Sequence, residues 1–323
     1  MTARIIDGRA VAAELRSRLV EDIEILRERG ITCGIATVQV GDDFGASMYR
    51  DAVARMCSGL NLAFRDESLA ATSTTSEVLD VVMSLNEDPA VSGILVLRPL
   101  APGVDEAQIV DRIAPLKDID CLSPGNLGRL MLGRRAWPPA TPAACLELLE
   151  RQLQIEDRDP ARGFAGDQVV VVGRSPSVGK PLAAMLLNRH ATVTICHSYT
   201  DRAGTLAEIT RRAKFLVAAV GVPGFIGREH VAPGAVVVDV GINQLFVCGA
   251  CGAHNHEATG ACMACGGRLE DPQTVTVGDV RFDEVAEMAG AVTPVPGGVG
   301  AVTNMMLARN AVRAAEAAAE GEA

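Results

Sequence analysis

The sequence predicts an α/β protein of two domains, and three observations support this fold class. Segments with apolar residues at helical spacing alternate with short apolar runs that are typical of buried parallel strands. A run of four valines, Val169–Val172, leads into the glycine-rich segment Gly173–Pro181. Two Cys-x-x-Cys pairs lie between residues 246 and 270. Because 323 residues suffice for two hydrophobic cores, we expect two α/β domains with a small cysteine-rich insertion in the second.

The N-terminal part of the chain predicts an α/β unit with a mainly parallel sheet. Helical periodicity predicts helices at Gly8–Gly30, Tyr49–Leu60 and Val78–Leu85. Apolar runs predict strands at Ile35–Val40 and Gly93–Leu97. The segments 41–48 and 109–129 are predicted to be loops. We assign the first domain to residues 1–145 and expect the C-terminal helix, within residues 300–323, to return to it.

Residues 146–299 predict a second domain with a βαβαβ pattern. After a helix that begins at Thr141, the strands are expected at Val169–Val172, Thr192–Cys196, Phe215–Val220 and Ala235–Val240. The helices between them are expected at Leu182–Asn188 and Leu206–Arg212. This order is typical of a Rossmann-type domain, in which a dinucleotide binds at the carboxyl ends of the strands.

The glycine-rich segment after the first of these strands predicts a phosphate-binding turn. Gly173 permits a tight turn, Gly179 permits close packing of helix on strand, and the N–H groups of the first helical turn attract an anion. Ser175 occupies the place of the second glycine of the usual fingerprint, so an ordinary strand–turn–helix remains an alternative on the motif alone. The predicted cofactor-binding residues are Gly173, Arg174, Ser175, Val178, Gly179, Ser198, Gly221, Gly241 and Ile242.

The end of the next strand bears on which dinucleotide binds. An acidic residue there would hold a ribose 2′-hydroxyl and repel a 2′-phosphate, but the strand ends in Cys196-His197-Ser198. Arg174 and Ser198 together would suit a 2′-phosphate. The sequence therefore favours NADP over NAD, with a solvated Arg174 as the alternative.

Overall charge and hydropathy exclude several classes of function. A net charge of −10 and a pI near 5.1 argue against a nucleic-acid partner or an anionic membrane. No apolar run reaches about 18 residues, and the N-terminus lacks the apolar core of a signal peptide. We expect a cytoplasmic protein with reduced thiols.

The two Cys-x-x-Cys pairs predict a small metal-binding ribbon at residues 246–270. Cys248, Cys251, Cys262 and Cys265 have the spacing at which four thiolates enclose a structural Zn²⁺. Iron in a rubredoxin-like site and a redox dithiol remain alternatives. The intervening His254 and His256 are expected to be exposed rather than ligands. So small a ribbon needs its metal to fold, and it could cap the cofactor cleft or dock a protein partner.

Six motifs occur in one order along the chain: IIDG (5–8), KDIDC (117–121), GRSPSVGKP (173–181), VAAVGVPGFI (217–226), VVVDVGIN (236–243) and TPVPGGVG (293–300). In this combination the sequence resembles the methylenetetrahydrofolate dehydrogenase/cyclohydrolase family. The resemblance implies a folate domain, an NADP-binding domain and a homodimer formed through the cofactor domain. It also implies that Tyr49 and Asp120 serve the folate site, together with Leu97, Pro296, Gly297 and Gly298.

The sequence departs from the family pattern at the residues expected to open the folate ring. The family lysine four residues after the tyrosine is Val53 here, and the glutamine at the strand end is Leu97. A family serine corresponds to Ala46, a glycine to Cys121, and a proline to Ala301. We therefore expect a dehydrogenase without cyclohydrolase activity. The alternatives are a non-catalytic folate and NADP binder acting through its ribbon, and a bifunctional enzyme that uses a different base.

Overall fold

The computed structural model describes residues 2–270 and 272–321, which divide into two compact units. Unit 1 contains the described residues up to Arg9 together with Cys145–Ala301, and unit 2 contains Ala10–Ala144 and the described residues from Val302 onward. No helix within the described residues is long and apolar enough to cross a membrane.

The described strands are β1 (Arg4–Ile5), β2 (Gly34–Val40), β3 (Ala63–Leu69), β4 (Gly93–Val96), β5 (Gln168–Val172), β6 (Thr192–Cys196), β7 (Phe215–Ala218), β8 (Val236–Asp239), β9 (Asn243–Val247), β10 (His254–Asn255), β11 (Gln273–Val277) and β12 (Ala291–Val292). The described α-helices are α1 (Gly8–Glu28), α2 (Phe44–Leu60), α3 (Thr75–Glu87), α4 (Glu106–Val110), α5 (Pro124–Met131), α6 (Ala140–Ile155), α7 (Gly179–Leu187), α8 (Ser198–Arg202), α9 (Leu206–Thr210), α10 (Phe282–Ala286) and α11 (Val299–Ala319).

Unit 1 is built on a six-stranded parallel sheet in the order β1-β12-β8-β7-β5-β6. The Val169–Val172 run of β5 is central, since its residues pair with β6 on one side and β7 on the other. Its valines are at most 2% exposed, which explains why this strand is apolar on both faces. The predicted α/β fold of this domain is confirmed.

Unit 2 contains a three-stranded parallel sheet in the order β3-β2-β4. One face of β2 and β4 packs on α3 and α4, through a cluster that includes Val38, Val82, Ile94 and Ile109. The helix α11 belongs to this unit from Val302 onward, and Asn310 donates hydrogen bonds of 2.8 Å to the carbonyls of Ile119 and Pro138.

The N-terminus does not follow the predicted domain assignment. Residues up to Arg9 lie in unit 1, because β1 adds to the edge of the six-stranded sheet beside β12. The assignment of residues 1–145 to the first domain is corrected by this strand. Two residues of pairing are too short to be recognised from sequence periodicity.

Several short elements replace predicted loops. Helix α2 begins at Phe44, inside the predicted 41–48 loop, because the Asp43 carboxylate accepts the Ala46 N–H at 2.9 Å. The predicted loop at 109–129 contains α5, which has Ser123 as its N-cap and Pro124 in its first turn. The sequence analysis also missed β3, an edge strand whose residues are mostly exposed and polar.

Candidate functional site

The glycine-rich turn after β5 has the local geometry that the sequence predicts. Gly173 has a φ of +136°, a conformation that side chains rarely adopt. A Cβ on Gly179 would collide with the Gly173 carbonyl, so glycine is required where α7 meets the turn. The Ser175 hydroxyl accepts N–H groups from Val178 at 3.1 Å and Gly179 at 3.4 Å. Ser175 thereby fixes the turn at the N-terminus of α7, where an anion is favoured.

The strand ends of unit 1 bring the other predicted residues to the same edge of the sheet. Ser198 follows β6, Gly221 follows β7, and Gly241 and Ile242 follow β8. The chain leaves β5 for β6 on one side and later returns to β7 on the other, so the order reverses between β5 and β7. Such a reversal opens a crevice at the carboxyl ends of the strands, where dinucleotides bind.

Two arginine side chains lie beside the Tyr199 ring, just after the end of β6. The guanidinium of Arg174 lies 5.5 Å from the centre of the Tyr199 ring, and that of Arg202 lies 5.3 Å from it. The His197 ring nitrogen accepts the Tyr199 N–H at 3.3 Å, which helps to place this ring. Sequence analysis named Arg174 and Ser198 but missed Tyr199 and Arg202, because the segment 198–202 was not recognised as a helix.

Two buried aspartates organise the loops after β7 and β8, and sequence analysis missed both. Asp279 accepts the N–H groups of Val220 at 2.6 Å and Gly221 at 2.8 Å. Asp239 accepts N–H groups from Gly241 at 2.9 Å and Asp279 at 3.0 Å. Burial raises the pKa of Asp239 to about 6 despite these donors. Asp239 lies in the VVVDVGIN motif, of which only Gly241 and Ile242 were predicted as site residues, and Asp279 lies outside the six motifs.

The predicted glycines of the TPVPGGVG segment line a cavity in unit 1. Its volume is about 240 Å³, and its walls include Gly241, Ile242, Thr276 and the run Pro294–Ala301. Pro296, Gly297 and Gly298 therefore lie against the same space as two predicted cofactor-binding residues. Ile242 is 68% exposed, so an apolar side chain at this edge is available to a ligand.

In unit 2 the structure brings Tyr49 and Asp120 together with Arg98. Burial raises the pKa of Asp120 to about 6, while the Ala140 N–H and Arg98 oppose that shift. The Ala140 N–H bonds the Asp120 carboxylate at 3.0 Å. Burial also raises the pKa of Tyr49, and the negative charge of Asp120 adds to that effect. This carboxyl therefore has one fixed backbone donor and free capacity to accept further N–H groups.

The loop that carries Asp120 is held by its neighbour Asp118. The fully buried Asp118 carboxylate accepts the N–H groups of Leu122 and Ser123, the Ser123 hydroxyl and the Asn126 amide, at 2.7–3.0 Å. Cys121 has a φ of +55°, a left-handed conformation in which glycine is most easily accommodated. That conformation gives a physical reason for a glycine at this position in the family pattern.

The two positions at which the family pattern has a lysine and a glutamine carry apolar, buried side chains in this protein. Val53 on α2 is 0% exposed and Leu97 at the end of β4 is 1% exposed. Beside Leu97, at the end of the adjacent β2, the amide of Gln39 donates to the Ser47 hydroxyl at 2.8 Å and to the Gly41 carbonyl at 3.1 Å. Its Oε1 atom is buried without a hydrogen-bond partner among the described residues. Sequence analysis missed this polar pair.

The four predicted metal ligands converge. The Sγ atoms of Cys248 and Cys265 are 3.8 Å apart, those of Cys251 and Cys262 are 3.7 Å apart, and all four lie within 4.8 Å of one another. Thiolates at about 2.3 Å from a tetrahedral Zn²⁺ are about 3.8 Å apart, so the donor set fits this ion. The two Cys-x-x-Cys pairs have the same backbone hydrogen bond. In each pair, the N–H of the glycine after the second cysteine donates to the carbonyl of the first cysteine.

Two family models match the chain. The tetrahydrofolate dehydrogenase/cyclohydrolase NAD(P)-binding domain matches residues 139–319, and the catalytic domain of the same family matches residues 6–120. The chain belongs to the tetrahydrofolate dehydrogenase/cyclohydrolase family. The resemblance found in the sequence motifs is thereby confirmed.

Curated members of the tetrahydrofolate dehydrogenase/cyclohydrolase family are similar over nearly their whole length. Bifunctional protein FolD 3 of Rubrobacter xylanophilus is 42% identical over 97% of this chain and 92% of its own. Bifunctional protein FolD of Moorella thermoacetica is 41% identical over 98% and 99%, respectively.

Solved structures of this family share the fold. The bifunctional FolD enzyme of Campylobacter jejuni has a TM-score of 0.82 and 32% identity, covering 97% of this chain and 99% of its own. The Trypanosoma brucei enzyme, solved with NADP and an inhibitor, has a TM-score of 0.82 and 32% identity over 99% of both chains.

Proposed function

We propose that this protein is an NADP-dependent 5,10-methylenetetrahydrofolate dehydrogenase that lacks cyclohydrolase activity. The observation that carries the proposal combines the two units. In unit 1, the carboxyl-end edge of the sheet, named here the nucleotide edge, contains the predicted residues Gly173–Gly179, Ser198, Gly221, Gly241 and Ile242. In unit 2, the pair Val53 and Leu97 is apolar. Membership of the family and the NADP-bound Trypanosoma brucei relative support the dehydrogenase part.

The residues of unit 1 are suited to holding NADP. The turn fixed by Ser175 presents the N-terminus of α7 to the pyrophosphate. Arg174 and Arg202 lie beside the Tyr199 ring and would supply two cations for a ribose 2′-phosphate, and Ser198 would add a hydroxyl. When bound, NADP supplies the hydride acceptor. The loops held by Asp239 and Asp279 would contact the nicotinamide end.

The residues of unit 2 are suited to orienting the folate. Asp120 would accept the paired N–H groups of the pterin edge, and Tyr49 would stack on the ring. Loss of a hydride from the methylene carbon leaves a cation that its two neighbouring nitrogens stabilise, so the step needs little acid or base assistance. Positioning of the two reacting atoms is the main requirement.

Ring opening of the resulting cation requires a residue that moves protons. Val53 and Leu97 cannot do so, because their buried side chains carry no group that accepts or donates a proton. We therefore propose that the methenyl product leaves the enzyme intact and hydrolyses in solution.

Following NADPH and methenyltetrahydrofolate together at their two absorbance bands tests both parts of the proposal. We expect equimolar formation of both products, with the methenyl species decaying only at its spontaneous rate. The double variant Val53→Lys/Leu97→Gln should shorten the life of the methenyl species, whereas the matched Val53→Met/Leu97→Met should not. Faster decay in the unmodified protein would show a functional cyclohydrolase, and absence of NADPH would remove the dehydrogenase.

We also propose one structural Zn²⁺ per chain at Cys248, Cys251, Cys262 and Cys265. A closed site of four thiolates leaves no coordination position for catalysis. Elemental mass spectrometry of the purified protein should give one equivalent of zinc. Iron as the bound metal, or reactive thiols without metal, would favour the two other hypotheses for this cluster.

Two further expectations belong to this function. We propose a cytoplasmic homodimer formed through the NADP-binding domain, as the family resemblance implies. Light scattering coupled to size-exclusion chromatography should give twice the chain mass of 33.8 kDa. A monomeric mass would contradict the dimer without affecting the proposed reaction.

A further inference from the structure

The cysteine ribbon, residues 246–270, is connected to unit 1 through strands β9 and β11, which form its base. Strands β9 and β11 form an antiparallel pair from Val247↔Gln273 to Asn243↔Val277. Val247 adjoins the first ligand, Cys248, and Asn243 adjoins Ile242 at the nucleotide edge. Five residues at about 3.4 Å each place the metal cluster about 17 Å from that edge.

The distal part of the ribbon has almost no hydrophobic core. Its described cluster of buried residues contains Cys248, Cys262 and Leu269, with Ala253 packed against them. The buried Asn255 connects the two knuckles, accepting the Met263 N–H at 2.9 Å and donating to the Ala253 carbonyl at 3.0 Å. So small a core cannot offset the entropy of ordering these residues, and metal binding must supply the difference.

The base of the ribbon is bonded to the loop after β7. The side-chain amide of Asn243 donates to Oδ1 of Asp279 at 2.9 Å. Oδ2 of the same carboxylate accepts the N–H groups of Val220 at 2.6 Å and Gly221 at 2.8 Å. Asp279 is fully buried, so its orientation depends on these donors. Displacement of Asn243 therefore removes one of the donors that orient the carboxylate to which Val220 and Gly221 are bonded.

The second ribbon strand also reaches the candidate site. Thr276 of β11, paired with Gln244 of β9, lines the 240 Å³ cavity together with Gly241, Ile242 and the TPVPGGVG segment. The ribbon base thus contacts this region twice, through Thr276 of β11 at the cavity and through Asn243 of β9 at Asp279.

We propose that metal binding at the four cysteines positions the loops after β7 and β8 through Asn243 and Asp279, so that loss of the metal weakens NADP binding. Asn243 is a positioning residue, since its amide acts on the loop through Asp279. The proposal rests on the proposed NADP site for its effect on affinity. Its effect on the loops can be measured without any nucleotide.

The first experiment compares the full-length zinc-loaded protein with Cys251→Ser/Cys262→Ser by hydrogen exchange and by NADP titration. Without metal, the amides of Val220 and Gly221 should exchange at least about tenfold faster, and the Kd for NADP should rise at least about fivefold, as in typical site coupling. The control His254→Ala/His256→Ala should keep one equivalent of zinc, the exchange rates and the Kd. Unchanged exchange at Val220 and Gly221 in metal-free protein would overturn the proposal.

The second experiment avoids reliance on a variant that could misfold. Asn243→Ala should retain one zinc per chain, yet show the same faster exchange and the same rise in the Kd for NADP, with KM for the folate unchanged. Its matched control is Gln244→Ala, the exposed neighbour on the same strand. Combining Asn243→Ala with loss of the metal should add less than twofold in Kd, because both changes interrupt one connection. The proposal would be overturned if the two changes raised the Kd by the full product of their separate effects. It would also be overturned if Asn243→Ala changed neither the exchange rates nor the affinity for NADP.

Failure of the proposed function is distinguishable from failure of this inference. If the zinc-loaded protein does not bind NADP, the proposed cofactor is wrong, while the exchange rates of Val220 and Gly221 still decide whether the metal positions the loop.

Discussion

At the scale of single residues, the Asp120 carboxyl changes its charge at a higher pH than an ordinary aspartate. Burial raises this pKa from 3.8 to about 6, so the carboxyl gains its charge between pH 5 and 7. Because the folded-state pKa is the higher one, this residue stabilises the fold most at low pH, and that contribution is lost as the pH rises through about 6. A ligand that donates two N–H groups to Asp120 binds the charged carboxylate more tightly, so its affinity increases as the pH rises.

The Asp120 carboxylate therefore predicts a pH-dependent KM for the folate. In the unmodified protein, KM should rise as the pH falls below about 6, because a protonated carboxyl accepts fewer hydrogen bonds. Asp120→Asn should raise KM at pH 7.5 by about tenfold to a hundredfold and flatten the profile, as expected for loss of a charged hydrogen bond. Asp111→Asn, an exposed carboxylate nearby in sequence, is the control. A steep profile retained in Asp120→Asn would assign the titration to another group.

Gln39 offers a second prediction at this scale. Its buried Oε1 has no partner among the described residues, which is costly unless a ligand or water donates to it. Gln39→Leu should raise KM for the folate several-fold while leaving the thermal midpoint equal or higher. The matched control is Gln152→Leu on α6, a buried glutamine whose Oε1 also lacks a partner. Kinetics and thermal melts of both variants test this, and equal KM values in both would show that Gln39 is structural.

At the scale of secondary structure, sequence reasoning succeeded where burial is continuous and failed where it is not. The strands β7 and β8, and β5 from Val169 onward, are buried continuously, so their apolar runs identified them. β3 pairs along one edge only and is polar and mostly exposed, so hydrophobicity could not reveal it. The short α5 and α8 depend on their caps, and Ser123-Pro124 has the residue types that are typical of a helix start.

The same limit applies to the candidate site. Glycines and cysteines act through backbone geometry or fixed spacing, so Gly173, Gly179 and the four cysteines could be named from the sequence. Asp239 and Asp279 act by accepting N–H groups from loops that are distant in sequence. No local pattern reveals such a contact, and only the fold brings the partners together.

Within the segment from Asp118 to Met131, we expect loss of one carboxylate to lower the stability of the fold strongly. Asp118 is fully buried and accepts four hydrogen bonds that shape the turn into α5. Asp118→Ala would leave these donors without a partner and should lower the free energy of unfolding by about 3 kcal/mol or more. Urea denaturation monitored by Trp137 fluorescence measures the loss, with Asp111→Ala as the exposed control. A loss below about 1 kcal/mol would mean that water replaces the carboxylate in the turn.

At the scale of the whole molecule, neither unit is a continuous piece of chain. Unit 2 is interrupted between Ala144 and Val302, and its last helix, α11, is contributed from the far end of the sequence. Asn310 on this helix bonds the carbonyl of Ile119, the residue before Asp120, at 2.8 Å. The folate residues of unit 2 thus depend on a segment about 190 positions away.

This discontinuity predicts how fragments of the chain behave. Residues 10–144 alone should lack a cooperative thermal transition, because the carbonyls of Ile119 and Pro138 lose the Asn310 amide and the buried face that α11 covers becomes exposed. Adding a peptide of residues 299–321 should restore a cooperative transition by circular dichroism, with a midpoint that rises with peptide concentration. The same peptide carrying Asn310→Ala should bind at least about fivefold more weakly, since two buried carbonyls then remain unpaired. A cooperative transition of residues 10–144 without any peptide would show that α11 is dispensable for this unit.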